Sequence, residues 1–347
     1  MRATPAVGEA RAVRLADHTT VRVGGPAASF VVCDTEQALI ASVREADDRG
    51  EPVLVLGGGS NVVVSDDGFP GVAARVAHTG VSFGRDGDRV VMRVAAGERW
   101  DDVVVAALAE GLAGIECLSG IPGLAGATPI QNVGAYGAEI SDVVCGVRAF
   151  DRVERALVWL DPSSCRFGYR TSALKGSTRY LVLGVEISLA RSKESAPVRY
   201  AELAAALDVE LDSRAAADDV RRAVLGLRGR KGMLVGPDDP DSVSVGSFFT
   251  NPVLPASAVP AGAPSWPTTS DGMVKLPAAW LIEQAGFHRG YGEGRVGLSS
   301  KHTLAIVNRG GAASSELVAF ARAIRDGVQA KFGIRLEPEP VLVGLTL

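Results

Sequence analysis

Cysteine is scarce in this chain. Cys33, Cys117, Cys145 and Cys165 are the only four in 347 residues, and no C-x-x-C pair occurs among them. Histidine is equally scarce, at His18, His78, His288 and His302, with no H-x-x-x-H spacing. A disulfide framework and a zinc centre are therefore not expected, and no metal is assigned. Charge of one sign is not in excess either, with 36 basic against 40 acidic side chains, a net charge of −4 and a pI near 5.7. That balance excludes a general attraction to nucleic acid or to an anionic membrane, so the charge of any anionic ligand has to be met locally. No apolar run reaches the ~18 residues of a membrane helix. Met1-Arg2-Ala3-Thr4-Pro5 carries no apolar leader either. The expectation is a soluble cytoplasmic protein without membrane insertion, and its first fifteen residues read as a disordered or variable extension.

What the chain has in abundance is glycine, 41 residues or about 12% against the ~7% usual in proteins. The excess gathers in a few segments, as tight turns and close backbone approaches require. The length predicts two or three substructures. A helix start is expected at Asp34 to Gln37, with Gln37 reaching back to the cap, a face of Leu39, Val43 and Ala46, and a stop at Gly50. Val53 to Leu56 and Val62 to Val64 read as strands around a glycine loop. Strands dominate from Val72 to Leu189, interrupted by one helix whose face is Trp100, Val104, Ala107 and Leu108. Residues 190–215 read as a soft boundary. Helices are expected over Asp218 to Gly229, Pro277 to Gly286 and Ser314 to Gly333, with a loop from Pro252 to Pro267. The pattern is α+β, not a regular βαβ array.

Five segments carry candidate chemistry. Gly57-Gly58-Gly59-Ser60-Asn61 lacks the Lys-Ser/Thr of a P-loop and is followed by a strand, so it is no Rossmann fingerprint; it reads as an anion nest or as a plain tight turn. The small residues from Gly120 to Gly137 let backbone lie against a flat ligand, and Gln131 and Asn132 offer amides to the edge of a heteroaromatic ring. In Phe167-Gly168-Tyr169-Arg170, an arginine among aromatics is either a carboxylate clamp or a surface side chain. Ser247 in Gly246-Ser247-Phe248-Phe249-Thr250-Asn251-Pro252 is a nucleophile, a proton donor or a turn hydroxyl, and not part of a G-x-S-x-G elbow. In Leu336-Glu337-Pro338-Glu339-Pro340, two carboxylates on one side would suit glycoside hydrolysis, and solvated they would do nothing.

Taken in this order, with Thr19-Thr20 and Gly24-Gly25-Pro26-Ala27 before them, the five segments resemble the UDP-N-acetylenolpyruvoylglucosamine reductases, flavoenzymes that complete UDP-N-acetylmuramate in bacterial wall synthesis. The resemblance implies an FAD-binding region of the PCMH, or vanillyl-alcohol-oxidase, type in two parts, residues 1–78 (joined by a final strand at 340–347) and 79–213. An α+β substrate domain would follow at 214–339. It implies that Gly57, Gly58, Gly59, Ser60 and Asn61 cradle the FAD pyrophosphate, and that Pro122, Gly123, Gln131, Asn132, Gly134 and Ala135 line the flavin. Arg170, Ser247 and Glu339 match the family's catalytic residues. Tyr200, in Val198-Arg199-Tyr200-Ala201-Glu202-Leu203, matches the tyrosine of the substrate-covering loop that marks the type I form. Tyr169, Lys231, Asn251 and Lys275 would contact substrate, Lys231 at a phosphate. One departure is that the family's lysine stands in Lys-x-Pro, whereas Lys231 is followed by Gly232-Met233.

The activity so implied is reduction of the enolpyruvyl ether of UDP-N-acetylglucosamine enolpyruvate by a monomeric enzyme with FAD as cofactor and NADPH as co-substrate. Arg170 would stabilise charge on the substrate carboxylate, Ser247 would protonate the α-carbon, and Glu339 would donate a hydrogen bond or orient Ser247. Two rival readings remain: an oxygen-using oxidase of the same FAD fold, and a sugar-nucleotide-binding protein without turnover.

Overall fold

The computed structural model describes residues 13–268 and 270–347. The extension expected over the first fifteen residues falls mostly outside these. Its last part is ordinary folded chain, since Arg14 bridges to Pro26 and Leu15 is fully buried.

The first layer is a three-stranded parallel sheet of β1 (Ala27–Cys33), β4 (Phe69–Val76) and β2 (Val53–Leu56), with β4 in the middle. A parallel centre strand is covered on both faces, and Val72, Ala73 and Ala74 are accordingly buried in succession. Helix α1 (Glu36–Asp48) lays Leu39, Val43 and Ala46 on it. Its cap is Thr35, whose hydroxyl accepts from Ala38 N–H at 3.1 Å. The cap thus lies one residue beyond Asp34. The position three residues on from Thr35 is then an alanine, so the reciprocal bond expected from Gln37 has no donor or acceptor in place. Strand β3 (Val62–Val64) belongs to a different pair, running parallel to the late strand Val341–Val343.

The second layer is antiparallel, in the order Ala156–Leu160, Val144–Asp151, Tyr180–Arg191, β6 (Arg89–Ala95) and β5 (Val81–Asp86). Helix α2 (Trp100–Ala109) packs on it through Trp100, Val103, Val104 and Ala107, with Leu108 packed partly buried at the edge of the same face. Trp100 anchors the helix start by donating from Nε1 to Leu118 O at 3.0 Å.

Residues 190–215 are more ordered than a soft boundary. The long strand continues to Arg191, and a short helix, Ala201–Leu207, packs against Ala217–Arg230 through Leu203, Ala204, Val220 and Val224. The stretch Pro252 to Pro267 is also only partly loop. Val253–Pro255 and Trp266–Pro267 flank Met273–Lys275 in a small antiparallel sheet, which fixes Lys275 between Val253 and Trp266. The C-terminal core gathers Leu281 and Ile282 of helix Ala278–Gln284 with Leu317, Ala321, Ile324 and Val328 of helix Ser314–Phe332. Val21, Val23 and Val63 from the first quarter of the chain join them.

Candidate active site

The glycine loop after β2 is pinned from behind. Gly59 adopts φ +65°, and a Cβ on it would lie 1.9 Å from His18 O, so no side chain fits. Thr20 N–H donates to Gly59 O at 3.0 Å, while its hydroxyl donates to Ser244 O at 2.6 Å on the strand that carries Ser247. On the other side, the Ser60 hydroxyl donates to Pro122 O at 3.2 Å, and Asn61 Nδ2 donates to Gln131 Oε1 at 2.9 Å. Two glycine-rich segments 60 to 70 residues apart in sequence are thus one surface. Among the described residues, none of the five successive N–H groups from Gly57 to Asn61 has a protein acceptor. A run of unpartnered donors between two strands is the donor set that a pyrophosphate needs, so these residues fit the FAD phosphates.

The strip from Gln131 to Gly137 leads from this loop to two side-chain clusters. In the first, Arg170 occupies a tight turn closed by reciprocal bonds between Gly168 and Thr171, and it adopts φ +52°. Its guanidinium, 19% exposed, donates from Nη1 to Asn132 O at 3.3 Å and from Nη2 to Gly134 O at 2.5 Å. Its Nε lies 3.3 Å from Glu339 Oε1, and Lys175 Nζ donates to the Arg170 carbonyl at 3.0 Å. Glu339 reaches this place because the chain beyond Leu336 pairs with the segment after Ser247. Thr250 N–H donates to Glu337 O at 3.0 Å, and Glu339 N–H donates to Phe248 O at 2.9 Å. Burial pushes the Glu339 carboxyl above the usual carboxylate range, with Arg170 and Lys175 opposing. Glu337 faces solvent, 68% exposed and near Arg335, so the two glutamates form no catalytic pair and the glycoside-hydrolase arrangement is absent. Ser247 Oγ, half-buried beside this cluster, has no hydrogen-bond partner among the described residues.

Tyr169 lies between cations: Lys275 Nζ is 4.7 Å and Arg170 Cζ 5.3 Å from its ring centre. Burial raises its hydroxyl, against the effect of Arg170 and of hydrogen bonds from Asn251. Asn251 also caps a helix, its Oδ1 accepting from Ala278 N–H at 2.9 Å. Burial lowers Lys275, Arg170 adds to that shift and Glu139 opposes it.

In the second cluster Tyr136 (φ +50°) meets Tyr200 edge-on at 5.5 Å, with Lys231 Nζ 5.8 Å from the Tyr136 ring and paired to Glu202. Burial pushes the Tyr136 hydroxyl up to about 12. His302, which the motif reading did not single out, joins this group. Burial, then Lys231 and Arg289, bring it down to about 4. A lone histidine between Lys301 and Thr303 carries no sequence signal of its own, and only the fold places it against Lys231.

The amide expected to read a ring edge at Asn132 is spent within the protein. Its Nδ2 donates to Glu139 Oε2 at 2.7 Å and to Gly168 O at 3.1 Å, and its Oδ1 accepts from Ser141 N–H at 3.1 Å. Asn132 is 1% exposed and therefore acts as a bracket.

Comparison with known proteins agrees with this geometry. Residues 27–157 match the FAD binding domain family, and residues 239–343 match the family described as UDP-N-acetylenolpyruvoylglucosamine reductase, C-terminal domain. The chain is 51% identical to the UDP-N-acetylenolpyruvoylglucosamine reductase of Thermobifida fusca, over 97% of this chain and 99% of the relative. It is 52% identical to that of Nocardia farcinica, over 97% and 90%. The crystal structure of the Thermus caldophilus enzyme is 26% identical and superposes with a TM-score of 0.64, covering 95% of this chain and 97% of that one. With a donor loop that fits FAD and relatives alike over nearly their whole length, this chain belongs to the UDP-N-acetylenolpyruvoylglucosamine reductase family.

Proposed function

We propose that the chain reduces the enolpyruvyl ether of UDP-N-acetylglucosamine enolpyruvate to UDP-N-acetylmuramate, a peptidoglycan precursor, with FAD as cofactor and NADPH as co-substrate. The observation that carries this reading is the meeting of Arg170, Glu339 and the Ser247 segment beside a loop of free N–H donors. The donor loop from Gly57 to Asn61 would hold the FAD phosphates, and the bound flavin would supply, as hydride drawn from NADPH, the hydrogen that the β-carbon of the substrate double bond accepts. Every other demand falls on the protein. Charge develops at the α-carbon and spreads into the neighbouring carboxylate, where Arg170 meets it with a guanidinium already oriented by two backbone carbonyls. Ser247, whose hydroxyl has no hydrogen-bond partner among the described residues, supplies the proton at the α-carbon. A serine is a weak acid, but the carbon it protonates is a strong base. Glu339, kept toward its protonated form by burial, donates to the carboxylate or to the serine. Tyr200 and Tyr136 cover the nucleotide side, Lys231 contacts a phosphate, and Tyr169, Asn251 and Lys275 complete the substrate cleft.

The same reading includes the division into 1–78 with 340–347, 79–213 and 214–339, supported by the pairing of Val341–Val343 with β3. It also includes a monomeric enzyme in the cytoplasm, serving the wall on which cell shape and division depend. Among the described residues no helix is long and apolar enough to cross a membrane. Anaerobic spectroscopy tests the reaction. The flavin band is expected to bleach with NADPH and to return on adding the enolpyruvyl substrate. A return only with oxygen would establish the oxidase alternative. In Ser247→Ala, bleaching by NADPH should be unchanged and the return slowed by ~10²-fold or more, the scale of lost acid catalysis. Equal slowing of both steps would remove Ser247 from the role.

A further inference from the structure

Arg170 has to present its guanidinium in one orientation while its own backbone is in the left-handed region. The two carbonyls that hold it belong to Asn132 and Gly134, and Asn132 is left-handed too, at φ +47°. Residues other than glycine persist in that conformation only where their surroundings over-determine it. We propose that Glu139 supplies this determination and is a positioning residue for Arg170 that acts through Asn132. The inference rests on the reductase reading above.

The geometry is that of a bracket with a charged end. Glu139 Oε2 accepts from Asn132 Nδ2 at 2.7 Å. The same Nδ2 donates to Gly168 O at 3.1 Å, and Gly168 opens the turn that carries Arg170. Asn132 Oδ1 accepts from Ser141 N–H at 3.1 Å, which closes the bracket on its far side. One amide therefore ties together the strip whose carbonyls hold the guanidinium, the turn that carries it, and Glu139. Glu139 is itself anchored. It pairs with Gly134 across a short hairpin, and its N–H donates to Asp142 Oδ2 at 2.8 Å. Its stem passes directly over Gly134, where a Cβ would lie 2.8 Å from Glu139 Cγ, so the glycine makes room for the carboxylate. The carboxylate does not hydrogen-bond Arg170: its Oε1 stands 3.9 Å from Nη1, at the outer limit of an ion pair. An amide N–H given to a carboxylate binds more strongly than one given to a neutral acceptor. A glutamate here consequently holds Asn132 more firmly than a neutral side chain of the same length.

Stopped-flow measurement of the two half-reactions of the holoenzyme tests the assignment. In Glu139→Ala, flavin reduction by NADPH should stay within about twofold of the parent, and reoxidation by the enolpyruvyl substrate should slow by ~10- to 100-fold, the scale of an ångström's misplacement. Glu139→Gln still accepts from Asn132 and should recover to within about threefold. Glu139→Asp keeps the charge but is too short to reach the amide, and should be as slow as the alanine variant. If Glu139→Ala fails to hold FAD, the contrast between Gln and Asp alone decides. In an Asn132→Ala background, Glu139→Ala should add no further slowing. A Gln variant as slow as the Ala variant would overturn the inference in favour of direct charge on Arg170. Equal slowing of both half-reactions, or additive effects with Asn132→Ala, would overturn it in favour of a merely structural role. A parent protein that the substrate does not reoxidise would overturn the reductase reading, and this inference with it.

Discussion

Glu339 stands between two opposed influences. Burial favours its neutral form, Arg170 and Lys175 favour the ion, and burial prevails. A carboxyl with a folded-state pKa above its ordinary 4.5 leaves the folded protein holding an extra proton between the two values. Stability must then fall as pH rises through that interval and be fully present only below it. Glu339→Gln cannot titrate, so its melting temperature relative to the parent should rise with pH above 4.5 and then level off, as thermal melts across the acid and neutral range would report. A difference that shrinks with pH would show that the ion pair with Arg170 dominates. Legibility at this scale was uneven. Arg170, Ser247 and Glu339 lie in short distinctive segments that sequence alone singles out. Glu139 and His302 do not, because their importance comes from what folds against them. Asn132 was visible as a functional amide, but the bonds that consume both its ends come from residues seven to thirty-six positions away.

At the scale of elements, the long helix Ser314–Phe332 begins against a residue from the other end of the chain. Asp66 accepts from Ser314 N–H at 2.8 Å and from Ser315 N–H at 3.2 Å, and Asp66 N–H donates to Ser314 Oγ at 2.9 Å. Burial would raise the Asp66 carboxyl, but the bonds from Ser314 and Ser315 outweigh it and hold it below the usual range. This is a helix cap supplied from a distance. Asp66→Ala should cost about 1–2 kcal/mol in urea unfolding, as loss of a capping carboxylate does, with Asp66→Asn nearer the parent. The helix itself was plain from Leu317, Ala321, Ile324 and Val328 at helical spacing, and so was α1. Its remote cap was not, because capping rules look only to neighbouring positions. The helix Ala201–Leu207 and the strands around Lys275 escaped for a related reason: with two to seven residues each, they are too short to display a period.

Over the whole molecule, the glycine loop Gly57 to Asn61 depends on a strand far from it in sequence. Val341 N–H donates to Asn61 O at 3.0 Å, and Asn61 Nδ2 lies 3.4 Å from Glu339 O. Deleting residues 340–347 should therefore strip FAD from the protein as well as destabilise it. The purified variant is expected to lack the visible flavin band and to melt at least several degrees lower, since Leu342, Leu345 and Leu347 also leave the C-terminal core. A yellow, stable truncated protein would refute this. The α+β class was legible from the mixture of periods. That a final strand at 340–347 joins residues 1–78 was implied by the family resemblance alone, since no local pattern tells β3 which distant partner it will find.

That pairing also sets an order of events during synthesis. When β3 has just been synthesised, its partner is still 277 residues from being begun. At ~5–20 residues per second, that is roughly 15 to 55 s. The donor loop must wait through this interval without the strand that fixes its far end. A chain paused anywhere before Val341 leaves Val62 to Val64 without the strand that pairs with them, and Asn61 O without its donor.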